Sequence, residues 1–325
     1  MYGLLIRIRF TRSQRKSTLA LTLAHLSDVH LGPLPPNSAW QNFALKRVVG
    51  SLSWGLSRHK IYDPVVAQAI VEDLKAANPD HVAFTGDLVN IAAQAEFLRA
   101  NKWLRDFGEP SWISFVPGNH DAYVPLRWEL GLSHLAPYME GDMTIASPHT
   151  SASIAAGFPY VRLRRNVALI GLSSAEPQSL IRAAGSLGPK QLQALSRLLY
   201  DLKARGYYRA VMIHHPPLPG LAHNRKALTD ARALQDILIK EGAELVLHGH
   251  NHCEILNFID GPTGKIPLVG VPSASSNGTG NQEPAAWNLY EIYRNQGNWV
   301  TEVSVRGWDP QSRTIIAKRH FTLPS

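Results

Sequence analysis

Five short blocks of Asp, Asn and His residues, each directly behind an apolar run, carry the chemistry of this chain. They are Asp28-Val29-His30, Gly86-Asp87, Gly118-Asn119-His120-Asp121, His214-His215 and His248-Gly249-His250-Asn251-His252. Carboxylate, amide and imidazole donors in one place suit two divalent cations of borderline hardness, such as manganese, iron or zinc. Because paired cations serve the hydrolysis of phosphate esters, the residue types predict a two-metal phosphohydrolase.

Local spacing supports this interpretation. Asp28 and His30 are two residues apart, so both can point the same way from an extended segment. Glycine stands before the polar residues in three blocks, where it permits the tight turns that bring ligands to a buried metal (Gly86, Gly118 and Gly249). Each block alone is common in proteins, and the prediction rests on all five occurring in order.

Strand-like runs alternate with helical patterns before the last block and give way to strands after it. The predicted strands before it are Leu21–Leu26, His81–Thr85, Trp112–Val116, Val167–Leu172, Ala210–Ile213 and Glu244–Leu247. The predicted helices are Pro64–Ala77, Ala92–Phe107, Pro189–Ala204 and Ala227–Glu241. Four further strand candidates follow, at Ile255–Ile259, Ile266–Val271, Trp287–Tyr293 and Trp299–Val305. This order predicts an α/β fold closed by a strand meander, with ligands bound where the strands end.

The five blocks resemble the motifs of the calcineurin-like metallophosphoesterases, a family of dinuclear metallophosphodiesterases. The resemblance extends from about residue 20 to about residue 275, and its matching segments are Leu26–Leu31, Phe84–Leu88, Val116–Asp121, Ile213–Pro217 and Leu247–His252. It implies a four-layer α/β/β/α sandwich of two mixed sheets flanked by helices. We therefore expect residues 19–325 to form a single domain.

The resemblance also implies a role for each polar residue. Three residues would hold one metal (Asp28, His30 and His252), three would hold the other (Asn119, His214 and His250), and Asp87 would bridge the two. His120 would lie outside the metal ligands as a catalytic group, with Asp121 orienting its ring. No ligand position of the family pattern is missing, which disfavours a non-catalytic scaffold protein.

The expected reaction is phosphodiester hydrolysis. Two cations lower the pKa of a bridging water, and the resulting hydroxide attacks phosphorus in line with the leaving group. His120 would stabilise phosphoryl charge or protonate the leaving group. A lipid-linked pyrophosphate hydrolase of the UDP-diacylglucosamine type stays open as an alternative. A nuclease is disfavoured, because the body of the chain has no long basic stripe.

Candidate substrate contacts lie beside the last motifs and in a long insert. His215 follows a proposed ligand. We expect it to form a hydrogen bond or a substrate contact rather than to bind a metal. Tyr123 and Arg127 belong to the insert Ala122–Tyr160, and Arg127 has the chemistry to grip a phosphate. Ordinary packing is an equal alternative for the two insert residues.

Positive charge is concentrated at the start of the chain. Five of its 33 Lys and Arg residues stand in the first twenty positions, where there is no acid, so the rest carries 28 basic against 25 acidic residues. We expect residues 1–18 to be a flexible basic extension. The near-neutral remainder gives no reason to expect a nucleic-acid partner.

A second insert, Gly32–Asp63, is expected to form a lid. Leu45, Val48, Val49, Leu52 and Leu56 share one helical face, and Lys46, Arg47 and Arg58 lie on the other. One interpretation is that the apolar face packs on the body. The alternative is that residues 42–60 and the basic N-terminus contact an anionic membrane surface.

Composition excludes some other classes. The single cysteine, Cys253, excludes a disulfide framework and a cysteine-rich zinc site. No run approaches the roughly 20 apolar residues of a membrane-spanning helix. Arg7 and Arg9 interrupt the apolar start, so we expect no secretory signal and a cytoplasmic location, with peripheral membrane contact left open.

Overall fold

Two mixed six-stranded sheets with helices on their outer sides form the protein in a computed structural model, which describes residues 19–36, 38, 45–142 and 157–324. This confirms the expected sandwich. The strands are β1 (Leu19–Leu26), β2 (His81–Phe84), β3 (Ile113–Phe115), β4 (Tyr160–Arg164), β5 (Val167–Gly171), β6 (Tyr208–Met212), β7 (Leu245–His248), β8 (Ile255–Gly261), β9 (Gly264–Gly270), β10 (Ala286–Asn295), β11 (Asn298–Asp309) and β12 (Thr314–Thr322). The helices are α1 (Leu45–Leu56), α2 (Pro64–Ala77), α3 (Gln94–Phe107), α4 (Gly188–Ala204) and α5 (Ala231–Glu241).

The strand orders of the two sheets place all five Asp, Asn and His blocks at the end of a parallel strand. The first sheet has the order β12-β11-β10-β1-β2-β3, in which β1, β2 and β3 run parallel. The second has the order β4-β5-β6-β7-β9-β8, with β5, β6, β7 and β9 parallel. All five blocks follow parallel strands, three in the first sheet and two in the second. Carboxyl ends of parallel strands are where open α/β sheets bind ligands.

Alternation along β5 shows how the layers are held together. Val167 and Leu169 belong to a core cluster that also includes strands of the first sheet. Ala168 and Ile170 belong to a second cluster, with Leu195 of α4 and other helix residues. Because successive side chains of a strand point to opposite faces, one strand contributes to both the inter-sheet core and the outer helix layer.

Most predicted elements are present with small shifts at their ends. α2 has the predicted bounds, with the Asp63 carboxylate accepting from the backbone N–H of Val65 at 2.8 Å and proline at the first position. α5 begins at Ala231, four residues later than predicted. The edge strands β4 and β12 were not predicted. β12 is largely exposed and rich in charge, so it lacks the apolar alternation that marks a strand.

The helix predicted in the Gly32–Asp63 insert is present as α1. One interpretation was that its apolar face packs on the body, but that face points outward. Leu45, Val49, Leu52 and Leu56 are 68%, 42%, 60% and 73% exposed, whereas Arg47 is 1% exposed. The interpretation is therefore wrong. Residues 42–44, at the start of the predicted amphipathic stretch 42–60, lie outside the described residues.

Three residues on the inner face of α1 explain this orientation. The Arg47 guanidinium donates to the backbone carbonyls of Ile91 at 3.2 Å and Ala92 at 2.5 Å. Gly50 permits close approach, because a Cβ there would lie 2.9 Å from the Tyr123 hydroxyl. Trp54 is buried and stacks on Tyr62 with ring centroids 6.1 Å apart. Specific polar anchoring and aromatic packing thus override the amphipathic pattern.

No described helix is long and apolar enough to cross a bilayer.

Arg47→Ala should lower the free energy of unfolding by about 2 kcal/mol, because two buried carbonyls would lose a charged donor. Urea denaturation measures this change. Leu52→Ala, on the exposed face of the same helix, is the control and should cost about 0.5 kcal/mol or less. Equal losses in the two variants would contradict the orientation of α1.

Candidate metal centre

Loops from both sheets bring the seven expected metal ligands together at one point. The loops after β1, β2 and β3 carry Asp28, His30, Asp87 and Asn119, and those after β6 and β7 carry His214, His250 and His252. Apart from the partly exposed His252, all of these side chains are buried. The site therefore draws on residues spread over most of the chain.

A first group of potential ligands consists of Asp28, His30, Asp87 and His252, whose ligand atoms all lie within 4.8 Å of one another. His252 Nε2 lies 3.0 Å from Asp28 Oδ1 and 3.3 Å from His30 Nε2. His30 Nε2 lies 3.8 Å from Asp87 Oδ2. Two carboxylates and two imidazoles thus surround one point.

A second group consists of Asp87, His214 and His250. The amide oxygen of Asn119 belongs with it, lying 2.8 Å from His250 Nδ1 and 3.1 Å from His214 Nε2. His214 Nε2 is in turn 3.5 Å from Asp87 Oδ2. Asp87 is the member common to both groups, so its carboxylate lies between them.

The hydrogen bonds of His214 test whether this donor set fits a metal ion. Its Nδ1 lies 2.7 Å from the Thr85 carbonyl oxygen, to which it can only donate. In the neutral ring, which is the form that binds a metal, the Nε2 lone pair faces the Asn119 oxygen and a ring nitrogen of His250. Facing acceptors repel unless a cation lies among them, and a carbonyl partner on the far nitrogen is typical of metal-bound histidine. The residues fit a divalent metal.

The charge of the site points the same way. Burial lowers the pKa of His214, but the Asp87 carboxylate outweighs that effect and raises the pKa to about 9. The surroundings therefore favour positive charge at this ring. A metal ion would supply that charge and release the proton.

Backbone strain is concentrated at the same residues. Asp28, His30, Asp87, His250 and His252 have φ angles between 46° and 70°, and they are half of the ten described non-glycine residues with positive φ. Left-handed conformations are costly for such residues and cluster at functional sites. Gly86 relieves one turn by adopting a φ of 94° itself.

His120 lies beside the two groups rather than within them. Its Nδ1 is 2.5 Å from the Asn90 carbonyl oxygen, and its ring stacks on Tyr123 with centroids 5.3 Å apart and planes 7° from parallel. Burial and the nearby Arg58 charge lower the pKa of His120 to about 3, so the ring is neutral. With Nδ1 held by the carbonyl, Nε2 has no hydrogen-bond partner among the described residues.

Asp121 does not orient the His120 ring, and that expectation is wrong. The Asn90 carbonyl fixes the ring, and no hydrogen bond joins the Asp121 carboxylate to it among the described residues. The carboxylate instead accepts four backbone N–H groups, at 2.8–3.1 Å, from Asp87, Leu88, Val89 and Gly118. Burial and the neighbouring Asp87 charge raise the pKa of Asp121 to about 7, and the hydrogen bonds from these backbone donors limit that rise. Asp121 therefore ties two ligand-bearing loops together.

The three expected substrate contacts lie in different surroundings. His215 has both ring nitrogens engaged, with Ser174 Oγ at 2.7 Å and the Ala183 carbonyl at 3.0 Å, so it supports the neighbouring His250 ring. Tyr123 stacks on His120. Arg127 is exposed beside Glu129, and no described hydrogen bond or ion pair joins it to either group. Residues 143–156 of its insert lie outside the described residues.

Two residues of the other insert reach the site and were not predicted to do so. Arg58 Nη2 lies 3.2 Å from His30 Nδ1, and Nη1 lies 3.5 Å from His120 Nδ1. The Tyr62 hydroxyl lies 3.2 Å from His252 Nδ1, and its ring is 4.5 Å from that of His30. No described carboxylate forms an ion pair with Arg58. Their position follows from the path of the insert, which no local sequence signal reveals.

Comparisons with known proteins agree with the motifs and with the fold. The sequence model of the calcineurin-like phosphoesterases matches residues 21–254. A probable cyclic nucleotide phosphodiesterase from Synechococcus sp. is 26% identical over 256 residues, covering 74% of this chain and 84% of that protein. A dimetal phosphatase from Danio rerio has a TM-score of 0.57 at 13% identity, covering 94% of this chain and 99% of that chain. Purple acid phosphatase PPD1 from yellow lupin has a TM-score of 0.52 at 13% identity, covering 93% and 53%. Both structures share the fold.

Asp121→Asn should lower the free energy of unfolding by about 2 kcal/mol and reduce the bound metal, because two ligand loops lose their shared charged acceptor. Thermal unfolding and metal analysis measure these effects. Asp142→Asn, at a surface ion pair with Arg164, is the control and should change stability by about 0.5 kcal/mol or less. Slower turnover with unchanged stability and metal content would instead favour an action through His120.

Proposed function

The chain belongs to the calcineurin-like phosphoesterase family, and from this membership we propose that it is a dinuclear-metal-dependent phosphodiesterase. The observation that carries the proposal is the pair of ligand groups joined by Asp87. Two bound cations would activate a water for in-line attack on phosphorus and would neutralise charge on the attacking and leaving oxygens.

The proposed ligand sets follow the two groups. Asp28, His30 and His252 hold one ion, Asn119, His214 and His250 hold the other, and Asp87 contacts both. Only two of these seven side chains are carboxylates, so the loaded site keeps a net positive charge. That charge favours the binding of an anionic phosphate ester. The donors fit manganese, iron or zinc alike, because mixed nitrogen and oxygen sites accept all three ions.

His120 is the proposed group that meets the substrate. Its Nδ1 bond to Asn90 and its stacking on Tyr123 fix the ring, which leaves Nε2 for a phosphoryl or leaving-group oxygen. An anionic substrate beside Nε2 would raise the pKa of the ring and let it carry a proton. His120 is then able to donate that proton to the departing alkoxide.

Arg58 is a second proposed substrate contact. Its guanidinium lies against the rings of His30 and His120, whose Nδ1 atoms already face the Val89 and Asn90 carbonyls. It is therefore a poorly paired cation at the edge of a site for anions. Guanidinium binds phosphate through two parallel hydrogen bonds, which suits this position.

The choice of diester over monoester is supported by the name of the Synechococcus relative, a probable cyclic nucleotide phosphodiesterase. A second candidate is hydrolysis of a lipid-linked pyrophosphate, which the exposed apolar face of α1 favours because that helix borders the metal centre. A nuclease has less support, because the body of the chain is close to neutral.

Comparison of two substrates tests the proposal. With manganese added, the protein should hydrolyse bis-p-nitrophenyl phosphate faster than p-nitrophenyl phosphate, and the ratio of kcat/KM values measures the preference. A preference for the monoester would overturn the phosphodiesterase assignment. Metal analysis of protein purified without added metal identifies the native ions.

Asp87→Ala and His120→Ala should separate metal binding from chemistry. Asp87→Ala should lose paired metal binding and turnover, because it removes the ligand common to both groups. His120→Ala should keep both metals and lose about a hundredfold in kcat, the usual scale for a positioned acid–base group. Metal content and kcat are measured on the same preparations, with Asp106→Ala at the exposed end of α3 as control. Turnover by Asp87→Ala with two metals bound would refute the site.

Arg58→Ala should raise KM and the inhibition constant of inorganic phosphate about tenfold or more, because a charge-assisted contact to phosphate is lost. Metal content should not change. Arg58→Lys should recover only part of the loss, since lysine cannot bind bidentately. Lys60→Ala, two residues away and exposed, is the control. Unchanged phosphate inhibition in Arg58→Ala would show that this cation does not contact the substrate.

A further inference from the structure

Tyr62, at the end of the Gly32–Asp63 insert, contacts one of the candidate metal ligands. Its hydroxyl lies 3.2 Å from Nδ1 of His252. The other ring nitrogen, Nε2, faces the remaining ligands, with Asp28 Oδ1 at 3.0 Å and His30 Nε2 at 3.3 Å. Tyr62 is therefore the hydrogen-bond partner of His252 on the side of the ring that faces away from the first ligand group.

The other three candidate imidazole ligands have different partners at the corresponding nitrogen. His214 and His30 each direct Nδ1 at a backbone carbonyl oxygen, at 2.7 Å and 3.4 Å. His250 Nε2 is buried and has no hydrogen-bond partner among the described residues. His252 thus differs from them in having a side-chain hydroxyl as its outer partner, and this side chain belongs to the insert rather than to the five motifs.

Tyr62 is itself held in place on several sides. It is buried, and its ring stacks on that of Trp54, with centroids 6.1 Å apart and planes 18° from parallel. On another side the ring lies 4.5 Å from that of His30. Its backbone pairs with Ser276 in an antiparallel bridge. The hydroxyl therefore has a fixed position relative to the ligand.

His252 has more need of such support than the other candidate ligands. Its side chain is 18% exposed, whereas the other six ligands are buried, so packing fixes its ring less firmly. A neutral imidazole that binds a metal through Nε2 carries its proton on Nδ1, and a hydroxyl oxygen can accept that N–H. Such outer partners set the tautomer and the ring orientation, and their loss typically lowers metal affinity about 10- to 100-fold.

We propose that Tyr62 is a positioning residue for the metal ion of the first ligand group. Its hydroxyl oxygen accepts the Nδ1–H of His252 and keeps Nε2 directed at the ion, so retention of this ion depends on the insert. The inference rests on the proposed ligand sets and adds to them a residue outside the motifs. No described hydrogen bond or ring contact joins Tyr62 to Asn119, His214 or His250, so the ion of the second group is retained independently.

Release of zinc from the loaded protein tests this role without depending on turnover. The protein is mixed with an excess of a chelator that changes colour on binding zinc, and the absorbance follows the departure of each ion. Tyr62→Phe keeps the ring packing and removes the hydroxyl. It should release one ion about tenfold faster or more, while the other ion leaves at the wild-type rate. His252→Ala identifies the affected ion, because it lacks the ligand itself and should retain the other ion alone.

Tyr208→Phe is the matched control. It also removes a buried tyrosine hydroxyl, which lies 2.8 Å from Thr301 Oγ1 and has no described hydrogen bond to a candidate ligand. Both ions should leave this variant at the wild-type rates. A general loss of stability would speed the release of both ions, whereas loss of a positioning contact affects one.

Three results would overturn the proposal. If Tyr62→Phe releases both ions as the wild type does, the metal centre stands but Tyr62 does not support it. If Tyr62→Phe releases both ions faster by the same factor, its role is general packing. If the wild type takes up fewer than two ions, the proposed ligand sets are wrong as well.

Discussion

The position of the Asp87 carboxylate is the constraint on which the rest of the structure depends. It takes part in both ligand groups, so three loops of one sheet and two loops of the other must meet around it. The two sheets can supply those loops together because the carboxyl ends of their parallel strands meet at one edge. Left-handed backbone at five of the seven ligand positions reflects how tightly the loops turn there.

Buried polar groups of the chain, rather than apolar packing alone, keep this arrangement in place. Asp121 gathers the amides of two ligand loops around one carboxylate, and the Thr85 carbonyl fixes the ring of His214. Each bond satisfies a group that would be costly to bury alone. The loops are thereby held in place by contacts within the protein, which would reduce the reorganisation needed if a cation binds.

The insert after the first strand adds residues to the site that do not belong to the five motifs. Its helix is held by a buried arginine and a tryptophan, and its continuation adds Arg58 and Tyr62 to a centre otherwise built from common motif residues. The same anchoring turns the leucines outward. One element therefore contributes both to the inside of the site and to the surface next to it.

The sequence alone predicted the family, the group of candidate metal ligands and most of the fold. The seven candidate ligands were assigned from the resemblance of the five motifs to one family, and the core elements could be predicted because burial imposes a period of 2 or 3.6 on apolar residues. Tertiary structure alone decided which face of α1 is buried, that Arg58 reaches the site, and that the Asn90 carbonyl rather than Asp121 holds His120. These features depend on single hydrogen bonds between residues distant along the chain, and such bonds leave no periodic trace in the sequence.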